Sequence, residues 1–93
     1  MSKMVELAWK YRLPTKSTPE DLASNWKTVL KYGDRILLAG YWYNPDGKSW
    51  IAAVYEFLDD NATDTEDMIG LRWVGEERFE DEGHAIAWAM QNA

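Results

Sequence analysis

Residues 35–58 read RILLAGYWYNPDGKSWIAAVYEFL, and this stretch decides the fold. Arg35 to Tyr43 and Lys48 to Leu58 are rich in Ile, Leu, Val and aromatic residues, which pack well on a pleated surface. Between them lies Asn44-Pro45-Asp46-Gly47. Proline pre-sets the first turn residue, and Gly47 can take the positive φ of a bulged three-residue turn, so the stretch is expected to be a β-hairpin. That turn pairs Asn44 with Lys48, and therefore Trp42 with Trp50, Gly40 with Ala52 and Leu38 with Val54. On the reverse face it sets Tyr41 opposite Ile51 and Leu37 opposite Tyr55. Both faces are apolar. One covers the core, and the other is buried as well or serves as a contact surface.

Upstream, Val5, Leu7, Trp9, Tyr11 and Leu13 alternate with Glu6, Lys10 and Arg12. Period two predicts a half-buried strand over 4–13, which Pro14 ends because proline cannot donate to the ladder. Thr18 is a candidate cap, Pro19 suits the first helical position, and Glu20 and Asp21 suit the positive end of the helix dipole. Leu22, Trp26, Val29 and Leu30 follow at helical spacing, and Gly33 suits the left-handed position past the last turn. A helix over 19–32 is expected.

Downstream, residues 59–67 carry five acids and no base, and read as a solvated loop. Met68 to Val74 is a further strand with Ile69, Leu71 and Trp73 on one face. From Asp81, its expected cap, to Asn92 a last helix places Ala85, Ile86, Ala89 and Met90 on one stripe. The order is β-α-β-β-β-α. The expected fold is a single α+β domain over residues 1–93, an antiparallel sheet with two helices packed on one face.

The chain has 93 residues, 10 Lys and Arg against 16 Asp and Glu, one His, no Cys and six Trp. A net charge of −6 argues against general phosphate-backbone binding and against an anionic membrane surface. Without Cys there is no disulfide, thiolate nucleophile or cysteine zinc site. No apolar run approaches the roughly 18 residues of a membrane span, and no leader pattern is visible, so a cytoplasmic location is expected.

The charge is not evenly spread. Residues 1–48 hold eight bases and five acids, whereas residues 49–93 hold two bases and eleven acids. If both acidic clusters lie at one end of the sheet, they make one negative patch: Asp59, Asp60, Asp64, Glu66, Asp67, Glu76, Glu77, Glu80, Asp81 and Glu82. Such a patch steers a basic partner toward it. Trp42 and Trp50, with Tyr41 and Tyr43 beside them, are the candidate aromatic contacts, since Trp and Tyr are enriched in interface hot spots. Bases and sugars also stack on such rings, but basic neighbours are then expected, and only Lys48 is adjacent in sequence. Trp9, Trp26 and Trp73 lie on the apolar faces of their elements and read as core.

No catalytic constellation stands out. His84 reads as a surface histidine in the first turn of the last helix. Residues 59–67 do not match the twelve-residue calcium loop, because its Gly and Glu positions hold Asp64 and Gly70. Glu56, inside an apolar run, is the most interesting carboxylate, and Arg35 and Arg72 are its candidate partners. The serines have no nucleophile-elbow context, and the glycines form no phosphate loop. No metal or cofactor is expected.

The α-β-β-β-α portion resembles the double-stranded RNA-binding topology as an order of elements alone. Those domains present lysines at the start of the last helix, where this chain reads Glu80-Asp81-Glu82-Gly83-His84. Size, acidity and aromatic content are similar to those of small phage-encoded inhibitors of host defence, including anti-restriction and anti-CRISPR proteins, and to bacterial immunity proteins. That resemblance is compositional. It implies a viral, non-enzymatic protein-binding module that inhibits a basic, nucleic-acid-binding protein by charge mimicry. Two alternatives stand beside it: a ligand-binding or enzymatic small domain, and a homo-dimer or larger oligomer joined through the second apolar sheet face.

Overall fold

The computed structural model describes residues 3–43, 45, 48–58 and 67–93. Helix α1 is Lys3–Lys10, strand β1 Lys16–Ser17, helix α2 Pro19–Asn25 and strand β2 Thr28–Tyr32. They are followed by β3 Arg35–Tyr41, β4 Trp50–Phe57, β5 Ile69–Val74 and helix α3 Glu82–Gln91. The five strands form one antiparallel sheet in the order β1-β5-β4-β3-β2. The α+β class and the antiparallel sheet agree with the expectation from sequence.

β3 and β4 are apolar on both faces because both faces are covered. Ile36, Leu38, Ile51, Ala53 and Tyr55 point toward α1 and α2, where they meet Ala8, Tyr11, Leu13 and Leu22. Leu37, Ala39, Ala52 and Val54 point the other way, against Ala85 and Ala89 of α3. The two expected helices therefore lie on opposite faces, not on one, and the second apolar face is closed by α3 itself. Alanine on both sides of that contact lets α3 sit close to the sheet. Asp81 caps α3 as expected, its Oδ1 accepting from the His84 amide at 2.8 Å.

Residues 4–13 are not a strand. Met4, Leu7, Ala8 and Tyr11 turn to the core at helical spacing, and Leu13 joins them past the helix end. Trp9 is 65% exposed. A Schellman motif closes α1: Leu13 N donates to Ala8 O at 2.8 Å and Arg12 N to Trp9 O at 3.2 Å, with Arg12 at φ 59°.

The helix expected over 19–32 stops early. Thr18 Oγ1 accepts from the Asp21 amide at 3.1 Å, with Pro19 in the first turn, so the start is as expected. Trp26 then turns extended, at φ −126° and ψ 138°, and Thr28–Tyr32 pairs with β3. Gly33 does adopt a positive φ of 60°, but in the two-residue turn between Tyr32 and Arg35.

The 35–58 hairpin forms with a one-residue slip. Tyr41 pairs with Trp50, Gly40 with Ile51 and Leu38 with Ala53. Since side chains alternate, this slip puts Trp42 and Trp50 on opposite faces. A second irregularity lies in β5. Tyr55 faces Leu71 while Val54 faces Trp73, so Arg72 is the extra residue of a bulge. Trp73 is thereby turned off the α1 and α2 side and left 49% exposed, not in the core.

Candidate functional site

The elements converge on an open cleft of 530 Å³ on the α1 and α2 side of the sheet. Tyr11, Arg12 and Pro14 line it from the end of α1, and Ser17 from β1. Leu22, Asn25, Trp26 and Lys27 come from α2 and its exit, and Tyr41 and Trp42 from the end of β3.

Each wall is held in place. The Trp26 ring lies on the backbone of Gly40, where a β-carbon would overlap its Cε3 and Cζ3 atoms. Trp42 packs edge-on against Tyr11, with ring centroids 5.7 Å apart. The segment after α1 is tied to the sheet twice. The Tyr55 hydroxyl donates to Pro14 O at 2.6 Å, and the Leu71 amide donates to Thr15 O at 2.9 Å. Burial of Tyr55 pushes its phenol well above the ordinary value.

Three aromatic rings, those of Tyr11, Trp26 and Trp42, and two cations line the cleft, and no carboxylate is among its lining residues. Two further cations lie close to Tyr11: Lys10 Nζ is 5.7 Å and the Arg78 guanidinium 5.9 Å from its ring centroid. A concave aromatic surface with cations beside it suits a flat, anionic ligand. The basic neighbours missing around Trp42 in sequence are supplied by Arg12 and Lys27, from two other elements.

The expected aromatic contacts are divided. Trp42 is turned into the cleft, while Trp50 lies on the other face, 5.9 Å edge-on from the ring of its strand partner Tyr41 and bridged to Phe79. Tyr43 is 75% exposed and does not line the cleft.

Asp59, Asp60, Asp64 and Glu66 lie outside the described residues. Asp67 precedes the first residue of β5 and Glu76 follows its last, so these two acids stand beyond opposite ends of a six-residue strand. Glu76 pairs with Lys3 at 3.2 Å, Glu82 accepts from Thr28 at 2.9 Å, and Asp81 caps α3. Glu77 and Glu80 are exposed. A groove of 330 Å³ gathers Glu76 and Glu77 with Trp73, Val74, Phe79 and Trp88.

Glu56 meets both of its expected partners. Its Oε2 lies 2.9 Å from Arg72 Nη1 and 3.8 Å from Arg35 Nη2. The bulge at Arg72 aims that side chain at Glu56, and this carboxylate balances two cations at the sheet's far end. His84 Nδ1 lies 2.8 Å from Asp81 Oδ1, which makes it part of the helix cap. Among the described residues no group of three or more His, Cys, Asp or Glu is placed to hold a metal ion. No helix among them is long and apolar enough to cross a membrane.

Residues 13–93 match the family described as nucleotide modification associated domain 4. Tyr11 and Arg12 precede the matched span. No curated protein and no solved structure matches the chain.

Proposed function

The chain belongs to the nucleotide modification associated domain 4 family, and we propose that it recognises a nucleotide in the cleft between α1, α2 and the end of β3. The base stacks on Trp26 and Trp42, and the cations Arg12 and Lys27 face its anionic part. The observation that carries this reading is the composition of the cleft wall: three aromatic rings, two cations and no carboxylate. Stacking on such rings contributes about 1–3 kcal/mol per base and tolerates any base, because every base has a π-face.

The ligand is a single nucleotide or a short single-stranded segment. The net charge of −6 repels the extended phosphate array of a long duplex. Titration of nucleoside 5′-monophosphates while following tryptophan fluorescence tests the reading. Saturable quenching that disappears in Trp42→Ala supports it. Quenching that is absent, or unchanged in Trp42→Ala, contradicts it.

The acidic groove favours a second reading. Trp73, Phe79 and Trp88 with Glu76 and Glu77 suit a Lys or Arg side chain, which aromatic faces and carboxylates both attract. This keeps a protein partner with a basic surface, held by the acidic half of the chain, and with it the inhibitor role that charge mimicry implies. Binding of such a partner falls steeply with salt and is lost in Glu77→Lys, while Trp42→Ala leaves it intact.

A further inference from the structure

We infer that the cleft takes its ligand in phosphorylated form and that Arg12 is the side chain that reads the phosphate. The inference rests on the nucleotide reading above, and the observations that carry it concern Arg12 alone.

Arg12 occupies the residue after the helix cap in the Schellman motif that closes α1, with φ 59°. That position favours glycine, because a β-carbon there crowds the following carbonyl. The chain has glycine at the other described positive-φ position, Gly33. The backbone of α1 therefore favours glycine at position 12, and the arginine places a long cationic side chain there at a cost to the backbone. Residues held in such a conformation cluster at ligand sites.

Arg12 lines the aromatic cleft. The other arginines have intramolecular occupations: Arg35 and Arg72 share Glu56, and Arg78 lies over Tyr11. Among the described residues Arg12 forms no ion pair and no side-chain hydrogen bond, and it is exposed. A guanidinium offers a planar fork that matches two phosphate oxygens at once. Lys27, at the exit of α2, lines the same cleft and adds a second positive charge.

The test compares a nucleoside with its 5′-monophosphate by calorimetry, on the wild type and on Arg12→Gly and Arg12→Lys. The wild type binds the monophosphate about ten- to a hundredfold more tightly than the nucleoside. Arg12→Gly abolishes that preference and raises the melting temperature, because glycine suits the left-handed position. Arg12→Lys keeps the charge, loses the fork and recovers only part of the preference. Equal binding of nucleoside and monophosphate by the wild type overturns the assignment, and so does a preference that survives Arg12→Gly. In both cases the base-stacking reading stands. If neither ligand binds the wild type, the nucleotide reading itself fails and takes this inference with it.

Discussion

The six-membered ring of Trp26 lies against the bare backbone of Gly40, and no side chain fits between them. Glycine weakens a strand interior, so its presence in the middle of the sheet marks a close approach. The approach fixes one wall of the aromatic cleft. In Gly40→Ala the new methyl group displaces the Trp26 ring. Overpacking of this kind costs about 1–3 kcal/mol, measured by urea unfolding. Nucleotide affinity falls with it, since the stacking surface has moved.

The hydrogen bond from Tyr55 to Pro14 predicts an alkaline limb of stability. Burial disfavours the phenolate, so the folded-state pKa lies above the ordinary value of 10.0. Stability is complete below that value and falls as pH rises above it, because the unfolded chain releases the proton first. Tyr55→Phe removes this fall. At neutral pH it costs about 1–3 kcal/mol, since Pro14 O loses its donor. Unfolding monitored at pH 7 and at pH 11 checks both statements.

An acid limb arises at Asp81. The amide of His84, and then its ring, donate to the carboxylate and hold its pKa below the ordinary 3.8. A depressed folded-state pKa contributes stability above 3.8 that is lost as pH falls through the lower folded value. Asn also caps helices well, so Asp81→Asn keeps α3 while flattening this limb. Circular dichroism between pH 5 and pH 2 reads the difference.

Glu56 separates two guanidinium groups, those of Arg35 and Arg72. Glu56→Gln leaves two like charges close together. The pair is half-exposed, so the loss is about 1 kcal/mol. Added salt screens the repulsion and recovers part of it. Urea midpoints at low ionic strength and in about 0.5 M salt test this; an equal loss in both contradicts the electrostatic account.

The central hairpin and α3 were legible because single patterns carried them: turn residues between two apolar runs, and Asp81 ahead of a stripe. The N-terminal segment was not. Leu7 and Tyr11 fit a period of two and a period of 3.6 equally, and Ala8, too small to weigh in a strand pattern, is the residue whose burial decides for the helix. Trp26, Val29 and Leu30 kept helical spacing across the point where the chain turns extended, and Thr28 and Val29 were the β-branched signal that a strand begins there. The aromatic pair Trp42 and Trp50 depended on a register that one residue reverses. The cleft was hidden for a different reason. Its rings and its cations come from α1, α2 and β3 and the residues that follow them, and the sequence neighbours of Trp42 show none of the others. A glycine in a strand and an arginine between α1 and Pro14 were the visible traces, and each has meaning only once its φ or its covering ring is known.

The account stands on nucleotide binding between Trp26, Trp42 and Arg12, and the six tryptophan indole N–H signals report on it directly. The most direct measurement is a proton–nitrogen correlation spectrum of the protein titrated with a nucleoside 5′-monophosphate. The predicted result is a saturable shift of the Trp26 and Trp42 indole signals and the Arg12 amide, with Trp9, Trp73 and Trp88 unmoved. A spectrum that does not change, or shifts confined to Trp73 and Trp88 beside the acidic groove, contradicts it.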